Sequence, residues 1–498
     1  MVGVRSATGV HGRAIAWGAL AIAAGACAAL LPLEVAIALF ATVGLAVALL
    51  IEPVLGLIVM VCVAPLKVLI ETEAPIALPG DIGQWSLALA LGVWAVWRAS
   101  QVPMRPLPRS RVAVALAVIM LGFTPSLFTA TSTGAWIAEV AKWAVMLVLT
   151  LLVIDLGARG RWAWLAFGVV LAAAIQAVIG LYEFFGGSGA PHLWIAAYTR
   201  FRAFGTFGQP NPFSAFMGLT LPLALGLGWG YAREAWAFWR LSDRHAAARA
   251  GAVVAVYGTC AALIAGGLIA SWGRGAWLGF AAALSVMAVF APRRRLIGVG
   301  LLVIALALGV VLWVGGLVPA SIEARVTNTL DEFVGFDDVR GVFVTNENFS
   351  TVERMAHWQA ALSMASARPL TGVGLGNYEM VYADHALARW PHALGHAHND
   401  YLNILAETGI IGLASALVGW ALIVGWTARA LRVHSPVWNG LALGLLGTWT
   451  HLAVHSLFDK LTVNNLFLHI GVMLGLLALV DARRRAAEDS DYVFIQSH

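Results

Sequence analysis

Apolar stretches of bilayer length recur from one end of the chain to the other. They fall at 14–33, 35–51, 53–70, 85–98, 112–130, 136–155, 162–186, 211–232, 251–271, 275–291, 296–316, 409–428, 437–458 and 463–481, close to the roughly 20 residues that a helix needs to cross hydrocarbon. Helices and closed barrels alone satisfy their backbone inside lipid, so the pattern predicts an all-α integral membrane protein with about 12–14 transmembrane helices. Pro32 and Pro53 separate the first three runs, whose number is the least fixed. No period of 20–50 residues recurs, which excludes a repeat array.

One long polar interval, 317–408, breaks the series and divides the chain. The expected organisation is an N-terminal transmembrane bundle over 1–316 with about eleven spans, an extracytoplasmic loop domain with amphipathic helices over 317–408, C-terminal transmembrane helices over 409–481 and a cytoplasmic tail over 482–498. Within the loop, 317–333 and 350–366 have helical spacing, the second with Met355, Trp358, Ala361, Leu362 and Met364 on one face. Such helices are expected to lie on or near the outer leaflet as a lid. The turn from Arg368 to Tyr378 is rich in glycine, but no strand precedes it and its spacing is wrong for a dinucleotide fingerprint.

Arginine placement tests the span count. With the N-terminus inside, the inside loops 98–111, 157–161, 233–249, 292–295 and 429–432 and the tail from Arg483 all carry an arginine excess, whereas the outside segment 317–408 holds eleven acids against five arginines. Both termini are therefore expected to be cytoplasmic.

Composition changes the picture little: 60% of the 498 residues are hydrophobic and 11% charged, against about 25% charged in soluble domains. Lys67, Lys142 and Lys460 are the three lysines, so the net charge of +5 comes from arginine and reads as loops flanking spans, not a nucleic-acid surface. Cys27, Cys62 and Cys260 all lie in apolar runs, which predicts neither disulfides nor thiolate metal sites. Ala24-Gly25-Ala26-Cys27 resembles a lipoprotein cleavage site, but apolar sequence continues past it, so an uncleaved first helix is expected.

Few places in such a chain can do polar chemistry. The densest is Gly395-His396-Ala397-His398-Asn399-Asp400-Tyr401-Leu402-Asn403, which runs through Glu407 into a span. A neutral His398 imidazole facing a hydroxyl can accept its proton; His396 could orient it or simply be solvated. With Asp400, Asp384 or His385, the His-x-His pair could instead hold a metal, but no further His/Cys set stands at ligand spacing. His455 and Asp459, one turn apart at the outer end of a span, either line the same cavity or form a hydrogen-bonded helix end. Arg274, between Gly273 and Gly275 in an outside turn, can grip phosphate oxygens with its forked donors or snorkel to headgroups. Arg202 and, less strongly, Arg200 have the same two readings. Arg354 competes between an anion and its neighbour Glu353, and Lys142, deep in its span, between a pyrophosphate and Glu139. Around Arg202, the run Gly205-Thr206-Phe207-Gly208-Gln209-Pro210-Asn211-Pro212 brings bare backbone close to whatever binds.

These stretches carry a resemblance. His398-Asn399, followed by Gly409 and Gly412, resembles the signature of bacterial O-antigen ligases. More broadly it resembles the superfamily of those ligases, O-antigen polymerases and bacterial protein O-oligosaccharyltransferases. Arg202 to Pro212, Gly273-Arg274-Gly275-Ala276-Trp277-Leu278-Gly279, Arg354-Met355-Ala356-His357-Trp358 and Pro369 to Gly376 look like the same superfamily, so the resemblance covers roughly 135–480. It implies an inverting, metal-independent glycosyltransferase of the bacterial inner membrane. The enzyme would move a glycan from undecaprenyl diphosphate to an acceptor hydroxyl on the periplasmic face. The acceptor would be lipid A–core, a second lipid-linked repeat or a protein side chain. On this resemblance His398 is the base, and Arg202, Arg274 and Arg354 hold the donor diphosphate; its depth in a span adds Lys142 as a further candidate for the diphosphate. His396, Asn399, Glu407, His455, Asp459 and Arg200 support them, no metal or other cofactor is needed, and partners are membrane lipids rather than nucleic acid. A transporter or flippase would also suit many spans lined by arginine. Here, however, the polar residues gather on one face and no matching pair of broken spans marks two halves. A hydrolase would be expected to carry a Gly-x-Ser-x-Gly element, which is absent.

Overall fold

The computed structural model describes residues 47–49, 51–73, 80–101, 103, 106–158, 160–186, 189, 193–195, 200–318, 323, 338–345 and 348–496. The expected spans at 14–33 and 35–51, Cys27 and most of the expected helix at 317–333 lie outside them. The described chain is almost wholly helical: α1 (Val54–Val63), α2 (Lys67–Glu73), α3 (Ile82–Ala99), α4 (Arg111–Phe123), α5 (Thr133–Gly157), α6 (Trp162–Gly186), α7 (Pro210–Arg240), α8 (Arg244–Ala270), α9 (Arg274–Phe290), α10 (Arg295–Val314), α11 (Phe349–Ala367), α12 (Tyr378–His385), α13 (Asp400–Ala430), α14 (Pro436–His455) and α15 (Leu466–Gln496). The exception is a short antiparallel ladder pairing β1 (Trp194–Ile195) with β2 (Arg200–Phe201).

Among the described residues, nine helices are long and apolar enough to cross a membrane, and α9 is a shorter apolar helix beside them. This is the all-α integral membrane architecture that the hydropathy pattern predicts. Helices α7 and α15 run through the middle of the bundle, whereas α10 packs on α9 and exposes large apolar side chains around most of its circumference. In lipid, helix association relies on close packing more than on a hydrophobic drive. Accordingly α7 and α14 cross on glycines: a Cβ added to Gly230 would lie 2.8 Å from the Pro436 carbonyl oxygen, and one on Gly444 2.9 Å from Leu223 Cα. That crossing brings the C-terminal end of α14 against the start of α7.

The helix that carries the apolar run at 409–428 begins earlier, at Asp400, because the polar cluster supplies its own helix start. Asn399 caps α13 by accepting from Leu402 N (3.0 Å), and Asp400 favours the positive end of the helix dipole. The helix then breaks at Gly409, which adopts φ +64° and ψ −167°. The break is filled by the glycine-rich turn: Val373 N and Gly374 N donate to the Ala406 and Glu407 carbonyls, and Ile410 N donates to the Pro369 carbonyl, each at 2.9 Å. Backbone groups released inside a bundle need such partners.

One expectation needs correction, the apolar face of α11. Met355, Ala361 and Met364 of that face are buried, but Leu362 is 47% exposed, and the buried stripe runs instead through Val352, Ala356, Ala360 and Met364. These lie at i, i+4 spacing; Ala360 and Met364 pack with Tyr378 and Tyr382 of α12 and Ala406 of α13, and Val352 and Ala356 pack with Val339 and Met355.

Candidate functional site

A polar cleft of about 210 Å³ opens where the starts of α7 and α9, helix α11 and the C-terminal end of α14 meet. Six of the residues singled out in the sequence line it together: Arg202, Arg274, Arg354, His398, His455 and Asp459. They come from segments more than 250 positions apart.

Arg202 follows β2, on a loop held from inside the bundle. Glu183 Oε2 accepts from Phe204 N and Gly205 N (both 2.8 Å), and Gln176 Oε1 accepts from Thr206 N (3.0 Å). Arg202 Nε donates to the Ser271 carbonyl (2.9 Å), joining this loop to the α8–α9 turn. In that turn Trp272 sits at φ +57°, and the chain enters α9 through Gly273 with Arg274 in the first turn. Arg274 donates to Ser350 Oγ on α11 at 3.2 Å. Gly273, Gly275 and Ala276 also line the cleft, so the positive end of α9 adds to the guanidinium groups.

His398 occupies the left-handed region at φ +50°, a conformation seen at sites where the surroundings over-determine the backbone. Those surroundings are visible. Ala397 N donates to Asn403 Oδ1 (3.1 Å), His398 N to His396 Nδ1 (3.1 Å) and Asp400 N to the Ser456 carbonyl (2.8 Å). His398 Nδ1 lies 3.2 Å from Asp459 Oδ1, and the same oxygen accepts from Lys460 N at 3.0 Å. An ionised carboxylate only accepts, so Nδ1 carries the proton and Nε2 keeps its lone pair. Burial alone would raise the Asp459 pKa. The hydrogen bond from His398 and the nearby positive charge of Arg354 act against it, and the carboxyl is held well below its usual range. Burial pushes His396 down to about 3, so its ring is neutral and its 3.8 Å approach to Asp459 is no ion pair. Burial and the nearby His398 likewise push His357 down to about 4; its Nδ1 meets Tyr378 Oη at 3.0 Å.

His396, His398 and Asp459 offer three potential metal ligands within 4.8 Å of one another. Their hydrogen bonds disfavour that use. His396 Nδ1 accepts the His398 amide, so its proton sits on Nε2, and His398 Nδ1 donates to Asp459. A cation would have to displace both ring protons and break the amide bond that holds His398 in place.

The other singled-out residues lie outside the cleft lining. Lys142 Nζ pairs with Glu139 Oε2 at 2.5 Å. Arg200 donates to the Phe185 carbonyl (3.1 Å) and lies over the Phe184 and Phe185 rings. His396 and Asn399 shape the backbone around His398, and Glu407 Oε1 accepts from Tyr378 N at 3.2 Å, holding the loop domain on α13. Glu353 and Asn211 also line the cleft, as do Ser350 and Ser214, which were not singled out in the sequence. Burial pushes the Glu353 carboxyl up, against the lowering charges of His398 and Arg354. Glu183 had a readable signal, a lone acid inside an apolar run.

No curated protein sequence matches the chain. A family model does match, spanning Arg274, Arg354 and His398 but stopping short of Arg202 on one side and Asp459 on the other. The match runs over residues 259–417 and is to the O-antigen ligase family, the one that the His398-Asn399 signature resembles.

Proposed function

We propose that the cleft transfers a glycan from a lipid-linked diphosphate to an acceptor hydroxyl, without a metal and with inversion at the anomeric carbon. The observation that carries this reading is that the hydrogen-bonded His398–Asp459 pair shares the lining of one cavity with Arg202, Arg274 and Arg354. His398 Nε2 takes the acceptor proton as the oxygen attacks C1 of the donor sugar. The C1–oxygen bond to the diphosphate breaks, and the leaving diphosphate carries its charge onto the arginines and the start of α9. Preorganised positive charge in a partly dry site supplies what a metal would otherwise supply. Asp459 holds the His398 tautomer and stabilises the imidazolium that forms, which returns its proton to solvent.

On this reading the cleft faces the periplasm of a bacterial inner membrane, with undecaprenyl diphosphate as carrier and lipid A–core as acceptor. The arginines of α9–α10 and α13–α14, gathered at the opposite end, support the orientation. The test is a purified transfer assay with a lipid-diphosphate oligosaccharide and three acceptors: lipid A–core, a second donor molecule and a serine-rich protein. EDTA is present throughout, and His398→Ala runs alongside. Transfer that survives EDTA and vanishes in the variant supports the mechanism, and the acceptor used identifies ligase, polymerase or protein transferase. Labelled lipid crossing proteoliposomes without transfer overturns the reading in favour of transport.

A further inference from the structure

The end of the bundle opposite the His398 cleft holds a second basic concavity, of about 650 Å³. Five of its thirteen lining residues are arginines and none is acidic. The arginines come from three separate parts of the chain: Arg233 from α7, Arg293 and Arg295 from the α9–α10 turn and the start of α10, and Arg429 and Arg432 from the last turn of α13 and the turn after it. Arg233 is fixed by Asn439 Oδ1 at 2.8 Å, and Arg295 lies 4.9 Å from the centre of the Phe290 ring. Among the described residues, none of the five ion-pairs with a carboxylate, although other arginines of the chain do.

A topological bias needs arginines only somewhere on the inside loops. It does not bring five of them round one cavity, where like charges repel. Convergence without compensating acids calls for an anion, and forked guanidinium donors suit phosphate oxygens. Phe290, Pro292 and Leu431 add apolar wall to the same cavity. Exposed Trp236 and Trp239, stacked 5.1 Å apart near the end of α7, mark the depth of a headgroup layer. Seventeen residues of α9 separate Arg274 from Phe290, roughly 25 Å or one bilayer core, so this cavity belongs to the other membrane surface.

We infer that this cleft binds the phosphate headgroup of an anionic phospholipid, and that its five arginines suit the two phosphates of a diphosphatidylglycerol. The inference is independent of the transfer reaction. The probes are diphosphatidylglycerol, phosphatidylcholine and inorganic phosphate, each added to the full-length protein in detergent while Tm and lipid retention by native mass spectrometry are followed. At a hundredfold excess over Kd, a lipid that binds only the folded state raises Tm by about 3 °C in a chain of this size. Wild-type protein is expected to show that shift with diphosphatidylglycerol and not with phosphatidylcholine. It should be lost in R293Q/R429Q/R432Q, whose Tm without lipid checks that it folds. In case the triple variant does not fold, R429Q alone should weaken retention of the lipid. An equal shift with phosphatidylcholine, or an undiminished one in a folded variant, overturns the proposal. A full shift with inorganic phosphate overturns the lipid as the ligand and leaves a small-anion site.

Discussion

Lys460 Nζ lies 3.0 Å from Glu139 Oε1, while Lys142 holds the other oxygen of the same carboxylate. The pair joins the loop after α14 to α5, and Lys460 is the neighbour of Asp459, which orients His398. One acid within a transmembrane helix therefore fixes the position of the His398–Asp459 pair from behind. Removing one partner of a buried ion pair leaves an uncompensated charge and costs about 3–5 kcal/mol, so Glu139→Gln is expected to lower Tm and kcat together. Lys142→Met, on the half-exposed side, should change the donor KM little, because Lys142 does not line the cleft. Donor titrations of both variants decide this: a large rise in KM for Lys142→Met would place that lysine on the diphosphate after all.

Asp459→Asn tests the tautomer argument. An amide can donate to Nδ1 and so push the His398 proton onto Nε2, removing the base without moving the ring. The expected loss is about 10²–10⁴ in kcat, the usual worth of general-base catalysis, with donor KM nearly unchanged. A variant that loses donor affinity instead would show that Asp459 acts on the arginines.

Arg274→Lys keeps a positive charge at the start of α9 and loses the fork. Charge-assisted hydrogen bonds contribute about 1.5–3 kcal/mol each, so kcat/KM for the donor should fall roughly 10- to 100-fold. An unchanged kcat/KM would remove Arg274 from diphosphate binding.

The helical framework was legible in the sequence because a bilayer imposes one length and one polarity on every span. Arg202, Arg274, Arg354 and His398 were legible as motifs, and the cleft brings them together. What the residue pattern could not reveal was pairing at long range. Nothing local to Gly409 says that Pro369 to Gly374 fills the helix break, and nothing local to Asp459 says that it meets His398 rather than His455. Lys142 was legible only as a choice, because a lysine deep in a span signals a partner of either kind, and the structure pairs it with the carboxylate three residues earlier.

Gly409→Ala follows from the same break. A side chain at φ +64° is strained, and its Cβ would run into the Leu370 backbone, so the turn that fills the gap must shift. The cost of the left-handed conformation alone is about 1–3 kcal/mol; the expected outcome is a lower Tm and loss of activity as the loop domain comes off α13. Gly425→Ala, on the same helix with nothing within 4 Å of its added Cβ, should be neutral or stabilising by up to about 1 kcal/mol. Thermal melts of the two variants side by side separate the effect of the break from that of any glycine in α13.

The pH dependence of stability has a definite sign. His357, pushed down to about 4 by burial and by His398, stays neutral in the folded protein where an unfolded chain would take up a proton. Between the unfolded value of roughly 6.5 and that folded value, the unfolded state therefore binds more protons, and stability must fall as the pH drops through this window. His396, held at about 3 chiefly by burial, acts in the same direction and further into acid. Asp459 adds to the trend from its own side: its depressed carboxyl contributes stability above the unfolded carboxylate range, lost as pH falls below it. Tm measured from pH 7 to pH 4 should decline, and His357→Gln, which cannot titrate, should decline less steeply. Equal slopes for the two proteins would mean that His357 is protonated in the folded state, and its hydrogen bond to Tyr378 would then need the charged ring.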